Sequence, residues 1–182
     1  MRITRIGIAA FVLAVLAGPL YTVPGYSVVG NLISELAAQN TPWSVIMAGA
    51  FVTLGAAVVA DGARAFHPSL GPFVAFGLFM ALAGLFGHKP INPDVPYRAW
   101  AHAVHGGLAT AAGISISVAF IWQAVRQEHP ARRVVAAVLA VLCFVLPMAM
   151  LLLPEFQGAI QRLMYLLVFA WLWRFYPRAT HA

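Results

Sequence analysis

Apolar residues are concentrated in six long runs, each close to the length that crosses a bilayer as a helix. A transmembrane helix needs about 20 mostly apolar residues, and proline, glycine or charged residues separate these runs. We therefore predict an all-α, polytopic transmembrane helix bundle with about six spans, forming one integral membrane domain over residues 1–182. The runs cover residues 6–23, 43–60, 71–87, 99–122, 134–153 and 159–175.

The segment between the first two runs predicts one short amphipathic helix. Pro24–Ser27 is typical of a turn, in which the Ser27 hydroxyl would cap the helix. Its apolar face would hold Val29, Leu32, Ile33 and Leu36, and the opposite face would hold Asn31, Ser34, Glu35 and Ala38. A helix this short cannot span the bilayer, so we expect it at the interface or tucked into the bundle.

Composition excludes an ordinary soluble domain. Hydrophobic residues make up 62% of the chain and charged residues 9%, against about 25% charged in soluble domains. The mean hydropathy of +0.86 points the same way. The single cysteine, Cys143, excludes an intramolecular disulfide and a cysteine metal cluster. The net charge of +6 does not indicate nucleic acid as a partner, because the positive residues flank the apolar runs and form no basic cluster.

The positive residues predict the orientation in a bacterial-type cytoplasmic (inner) membrane. Arg2, Arg5, Arg64, Arg126, Arg132, Arg133, Arg174 and Arg178 fall in one set of connecting segments, and Lys89, Arg98 and Arg162 fall in the other. Positive residues favour the cytoplasmic side, so both termini are expected there. The first run lacks a clear small-x-small cleavage site, so we expect a retained helix rather than a signal peptide.

Ionisable residues gather in the segments predicted to face outward. Three of the five acidic residues, Glu35, Asp94 and Glu155, lie there, together with His88, His102, His105 and Arg162. Ionisable groups at membrane depth are costly and usually pair with one another or line a functional cavity. We therefore predict one outward-facing polar site containing Glu35, His102, His105 and Arg162.

His102 and His105 are spaced to share one face of the fourth helix. That face continues as Gly106, Ala109, Thr110, Gly113 and Ser117, a small-residue stripe predicted to pack against other helices. The two imidazoles could bind a metal, with His88, Asp94 or Glu35 as third ligand and a bound water as nucleophile. Proton transfer without metal, and structural hydrogen bonding, remain open. Glu35 and Ser34 would be catalytic, and Arg162 and Asn31 would hold an anionic substrate.

Several short motifs resemble one known family. Ile33-Ser34-Glu35-Leu36 follows the first helix, an acidic loop follows the third, a histidine begins the fourth, and Gln161-Arg162 opens the sixth. This set resembles the bacterial and archaeal membrane proteins catalogued as domain of unknown function 998. The resemblance implies a bundle of six to seven helices and brings no established activity. Ala37, where glycine is expected, and the long loop 88–94 depart from the pattern.

A weaker likeness concerns the order of Ser, Asp and paired His residues. This order is similar to that in the superfamily of intramembrane metal hydrolases that includes alkaline ceramidases and adiponectin-receptor-type proteins. The resemblance implies zinc as cofactor. Those proteins carry a third histidine on the last helix, whereas here His181 lies beyond that helix.

Two functions follow from the sequence. One is a metal-dependent hydrolase whose lipid-like substrate enters sideways from the bilayer. The alternative is a non-catalytic accessory or lipid-binding scaffold subunit of a larger membrane assembly. The expected partners are membrane lipid and either a membrane-protein partner or a second copy of the chain.

Overall fold

The computed structural model describes residues 2–177, which form helices joined by turns and loops, with no strand in that range. This confirms the predicted all-α bundle. The α-helices are α1 (Ile3–Tyr21), α2 (Ser44–Ala65), α3 (Gly71–Leu85), α4 (Ala99–Arg126), α5 (Pro130–Leu152) and α6 (Gln157–Phe175). Three residues used in the predictions lie outside the described residues. They are Met1 for the retained first helix, Arg178 for the charge bias and His181 for the tail histidine.

In the described part of the chain, five helical segments are long and apolar enough to cross a membrane. They are α1, α2, α4, α5, and α3 together with the 3-10 turn Pro68–Leu70 before it. The helix α6 has the same 19-residue length as α1 but is more polar. Its first turns carry Gln157, Gln161 and Arg162, and its last turn carries Arg174. It packs between α5 and α1 and so closes the ring of helices.

The helices alternate in direction, so the connections lie at two ends of the bundle. At one end, Asp61 accepts a hydrogen bond from the Thr4 main-chain nitrogen at 2.7 Å, which satisfies a free N–H of the first turn of α1. Tyr176 donates to the Val58 carbonyl oxygen at this end, here called the Asp61 end. The opposite end, here called the Glu35 end, holds residues 22–43, 86–98 and 153–156.

Small residues allow close helix packing in the first half of the bundle. A Cβ at Gly55 would lie 2.3 Å from the Gly77 carbonyl oxygen, so α2 and α3 approach each other backbone to backbone.

The small-residue stripe on α4 does not pack closely against another helix, contrary to the prediction. A Cβ at Gly106 or Gly113 would meet open space, and Ala109, Thr110, Gly113 and Ser117 line a cavity. The predicted tight contact along this face is therefore wrong.

The segment between α1 and α2 is folded into the bundle, but its helix is shorter than predicted. Ser27 does cap a turn, since its hydroxyl accepts the Gly30 N–H at 3.0 Å. Only Ile33–Ala37 then forms a helix, of the 3-10 type and five residues long. Ile33 and Leu36 are each 1% exposed, so this short helix plugs the Glu35 end of the bundle with apolar side chains.

Candidate functional site

The segment 22–43 lies across the Glu35 end and is held by α6 on one side. The side-chain oxygen of Gln161 accepts the Ile33 N–H at 2.6 Å, and the Ala159 N–H donates to the Val29 carbonyl oxygen at 2.9 Å. The Ala159 contact satisfies one of the first main-chain N–H groups of α6, which have no partner within the helix. The segment therefore caps α6.

Arg162 makes the most contacts between this segment and α6. Its Nη1 donates to the carbonyl oxygens of Asn31 at 3.0 Å and Gly158 at 2.9 Å, and its Nη2 donates to the Tyr26 hydroxyl. Its guanidinium carbon lies 5.8 Å from the centre of the Tyr26 ring. A Cβ at Gly158 would lie 2.2 Å from the Asn31 carbonyl oxygen, so a glycine is needed for this close approach.

Glu35 lies next to this arrangement but is not paired with a cation. Its carboxylate accepts the Leu32 N–H at 2.6 Å and the Asn31 side-chain N–H at 3.1 Å. Over residues 2–177, the one pair of opposite charges within 4.0 Å is Asp61 with Arg64. The charge of half-buried Arg162 is therefore met by carbonyl and hydroxyl oxygens rather than by a carboxylate. Burial raises the pKa of Tyr26, against the opposing effect of Arg162, so its phenol is neutral.

Three histidines form a second cluster, on the side of the segment 22–43 away from α6. The ring of His88 lies 4.5 Å from that of His102 and 5.6 Å from that of His105, both edge to face. His105 is 2% exposed, and its Nδ1 lies 2.9 Å and 2.8 Å from the carbonyl oxygens of Ala83 and Phe86. Since a carbonyl accepts hydrogen bonds, this Nδ1 carries a proton.

The remaining two rings are also fixed by main-chain groups. The Nδ1 of His88 lies 2.9 Å from the Lys89 carbonyl oxygen, so by the same argument it is protonated at Nδ1. The Nδ1 of His102 instead accepts the Lys89 N–H at 3.3 Å. Burial, aided by the neighbouring His102, His105 and Lys89, lowers the pKa of His88 to about 4. His88 is therefore neutral near pH 7.

The histidine cluster does not amount to a metal site as it stands. In the part of the chain that the structure describes, no group of three or more His, Cys, Asp or Glu side chains is placed to hold a metal ion. Asp94 is exposed, and its main-chain N–H bonds the Asn92 side chain at 3.0 Å. Metal binding by His88, His102, His105 and Asp94 stays a prediction.

The predicted polar residues thus occupy two groups rather than one. Asn31, Glu35 and Arg162 lie against α6, whereas His102 and His105 lie with His88 between α3 and α4. Within residues 2–177, no hydrogen bond, ion pair or ring contact joins Glu35 or Arg162 to a histidine. Ser34 is buried in the 3-10 helix that separates the two groups.

Gln39, which no sequence pattern indicated, links the segment 22–43 to the main chain beside the histidine cluster. Its Nε2 donates to the carbonyl oxygens of Gly87 at 2.8 Å and Arg98 at 3.2 Å, and its Oε1 accepts the Arg98 N–H at 2.9 Å. Its main-chain N–H donates to the His88 carbonyl oxygen at 2.9 Å. A neutral amide in a connecting segment follows no periodic pattern, so nothing in the sequence points to this role.

An apolar groove runs between α1 and α6 and ends at Arg162. Its volume is about 340 Å³, and α1 lines it with Ile8, Phe11, Val12, Val15 and Leu16. On α6 the lining extends from Arg162 to Trp173, which at 1.5 Å per residue corresponds to about 16 Å. At the far end, the guanidinium of Arg5 lies 5.2 Å from the ring of Trp173. The groove therefore has Arg162 in its lining at one end, Arg5 beside Trp173 at the other, and apolar walls along its length.

Comparison with known proteins gives one match. The family model described as "Protein of unknown function (DUF998)" matches residues 5–175, which is nearly the whole chain. No curated protein and no solved structure matches.

Proposed function

The chain belongs to the DUF998 family of proteins of unknown function, and we propose that it is a membrane protein that binds a lipid with an anionic headgroup. Arg162 would bind the headgroup, and the α1–α6 groove would hold an acyl chain. The Glu35 end faces outward in this proposal, with both termini on the cytoplasmic side of a bacterial-type cytoplasmic membrane. The lipid is then one of the outer leaflet.

The observation that carries the proposal is the uncompensated charge of Arg162 at the end of an apolar groove. A half-buried cation without a carboxylate within 4.0 Å is costly in a membrane protein, and an anionic ligand would offset that cost. A guanidinium has five N–H groups. Three bond the oxygens of Asn31, Gly158 and Tyr26, which leaves two for a phosphate or carboxylate.

The length of the groove supports a lipid of one leaflet. The hydrocarbon core of a bilayer is about 30 Å thick, so one leaflet contributes about 15 Å. The groove extends about 16 Å from Arg162 to Trp173 along α6. Asn31, expected to touch substrate, acts here through its carbonyl oxygen, which positions Arg162.

Lipid retention measured by native mass spectrometry tests the proposal. Protein released from nanodiscs with equal anionic and zwitterionic phospholipid should retain mainly the anionic lipid. Arg162→Gln should lose this preference, and the matched variant Arg98→Gln, in an exposed residue at the same end, should keep it. Ala170→Trp, which fills the groove, should lower retention, whereas Ala137→Trp on the exposed face of α5 should not. Retention that ignores lipid charge, or equal effects in both pairs, would overturn the proposal.

A hydrolase is the second candidate, and the histidine cluster is what favours it. His88 is neutral and protonated at Nδ1, so its Nε2 keeps a lone pair, as a metal ligand or proton acceptor requires, and His102 and His105 lie in edge contact with it. Metal analysis of the purified protein beside His102→Ala and His105→Ala decides this. Stoichiometric metal that is lost in both variants supports the hydrolase, and its absence with unchanged stability supports a non-catalytic lipid-binding protein.

A further inference from the structure

A second, larger cavity lies among α3, α4, α5 and α6, on the other side of α6 from the groove. Its volume is about 470 Å³, within the range of about 300–1,000 Å³ that is usual for small-molecule sites. The small residues Ala109 and Gly113 leave this space open on the α4 side, and Pro147, inside α5, lines the opposite wall.

The lining selects an uncharged ligand. Among residues 2–177, no Asp, Glu, Lys, Arg or His lines the cavity. The hydroxyls of Thr110 and Ser117 are already used, since they donate to the Gly106 and Gly113 carbonyl oxygens of their own helix at 2.9 Å and 2.8 Å. Four of the six methionines line the wall, namely Met80, Met148, Met150 and Met164. Methionine side chains are flexible and polarizable, which suits a surface that adapts to an apolar guest.

One polar group in the cavity has only a weak partner. The Tyr165 hydroxyl donates to the Met80 sulfur at 3.7 Å, and a thioether is a weak acceptor. Tyr165 is eight residues from the start of α6, about 12 Å into the helix, and about 4.5 Å beyond Arg162 along the helix axis. A hydroxyl in these apolar surroundings favours a stronger acceptor than sulfur.

We infer that this cavity binds an uncharged, lipid-soluble carbonyl compound of the quinone type, with Tyr165 donating a hydrogen bond to its carbonyl oxygen. A carbonyl oxygen is a stronger acceptor than the Met80 sulfur, and an uncharged compound matches a lining without charged side chains. Arg162 lines the α1–α6 groove and does not line this cavity, whereas Tyr165 lines both.

Binding of decylubiquinone to the protein in nanodiscs, followed by quenching of tryptophan fluorescence, tests this inference. The wild-type protein should show saturable binding. Gly113→Leu should abolish it, because a Cβ there projects into open space of the cavity. The matched variant Gly107→Leu, also open at its Cβ but outside the cavity lining, should bind like the wild type.

Two further comparisons isolate the hydrogen bond. Tyr165→Phe should weaken binding about three- to tenfold, as expected for one neutral hydrogen bond. Decylbenzene, with a ring and tail but no carbonyl, lacks the same hydrogen bond and should compete about three- to tenfold more weakly than decylubiquinone. Absence of saturable binding, equal behaviour of Gly113→Leu and Gly107→Leu, or equal competition by decylbenzene would overturn the inference.

Discussion

Arg162 donates a 3.0 Å hydrogen bond to the main-chain carbonyl oxygen of Asn31, a residue 131 positions earlier in the chain. The same side chain reaches the Gly158 carbonyl oxygen and the Tyr26 hydroxyl. One cation therefore fixes the segment between α1 and α2 onto α6 while standing at the end of the α1–α6 groove. Arg162 thus has a structural role at the Glu35 end, at the same place as the binding role proposed for it.

Gly158 should be sensitive to the smallest side chain. Gly158→Ala places a Cβ 2.2 Å from the Asn31 carbonyl oxygen and 2.9 Å from Arg162 Nη1, so the segment must shift. We expect a loss of about 1–3 kcal/mol in the free energy of unfolding. Thermal unfolding in detergent measures it. Gly107→Ala, which meets open space, should instead be neutral or slightly stabilising, because alanine favours helix. Equal effects of the two variants would contradict the close contact.

Gln39→Ala should loosen the histidine side of the Glu35 end. It removes the side-chain hydrogen bonds to Gly87 and Arg98, with an expected cost of about 1–3 kcal/mol. Hydrogen exchange of residues 86–98 should accelerate in this variant. Asn40→Gly, which suits the positive φ of 55° at this position and removes one exposed bond to the Pro96 carbonyl oxygen, should have a smaller effect. An Asn40→Gly effect as large as that of Gln39→Ala would argue against the role of Gln39.

The helices could be predicted because each is a continuous apolar run, and α4 begins at the predicted residue 99. The neighbourhood of Asn31, Glu35 and Arg162 could also be predicted, from the cost of charge at membrane depth. The separation of these residues from the histidines could not be predicted. His105 bonds main-chain carbonyl oxygens at the end of α3, and no side-chain pattern in the sequence reveals such contacts. The short 3-10 helix likewise depends on two long-range hydrogen bonds. One joins the Ile33 N–H to the Gln161 side-chain oxygen, and the other joins the Gln39 N–H to the His88 carbonyl oxygen.

The His88 environment predicts a loss of stability in mild acid. Burial lowers the pKa of His88 to about 4 from 6.5. Between pH 6.5 and 4 the unfolded chain therefore binds a proton that the folded protein does not, so stability falls as pH falls through this window, by about 3 kcal/mol in total. Below pH 4 this residue adds no further loss.

Unfolding in metal-free buffer, followed by exposure of the partly buried thiol of Cys143 to a dye, checks this pH dependence. His88→Gln should flatten the profile between pH 6.5 and 4, whereas His129→Gln, at the other end of the bundle, should leave it steep. A profile that stays unchanged in His88→Gln would show that another group titrates.

Thiol labelling tests the orientation and the sixth crossing. In a Cys143→Ala background, Asp94→Cys and Glu155→Cys should react with an impermeant reagent in intact cells, because both lie at the Glu35 end. Ala131→Cys, at the Asp61 end, should react after lysis alone. Labelling of Ala131→Cys in intact cells would reverse the orientation given by the charge bias.

Photo-crosslinking locates the lipid most directly. An anionic phospholipid with a photoreactive group along its acyl chain should label peptides from residues 8–16 of α1 and 162–173 of α6, the two walls of the groove. The labelling should fall sharply in Arg162→Gln and persist in Arg98→Gln, and a zwitterionic lipid with the same chain should label these peptides weakly. Even labelling of all helices, or equal labelling by the two lipids, would contradict binding of an anionic lipid by Arg162 and the α1–α6 groove.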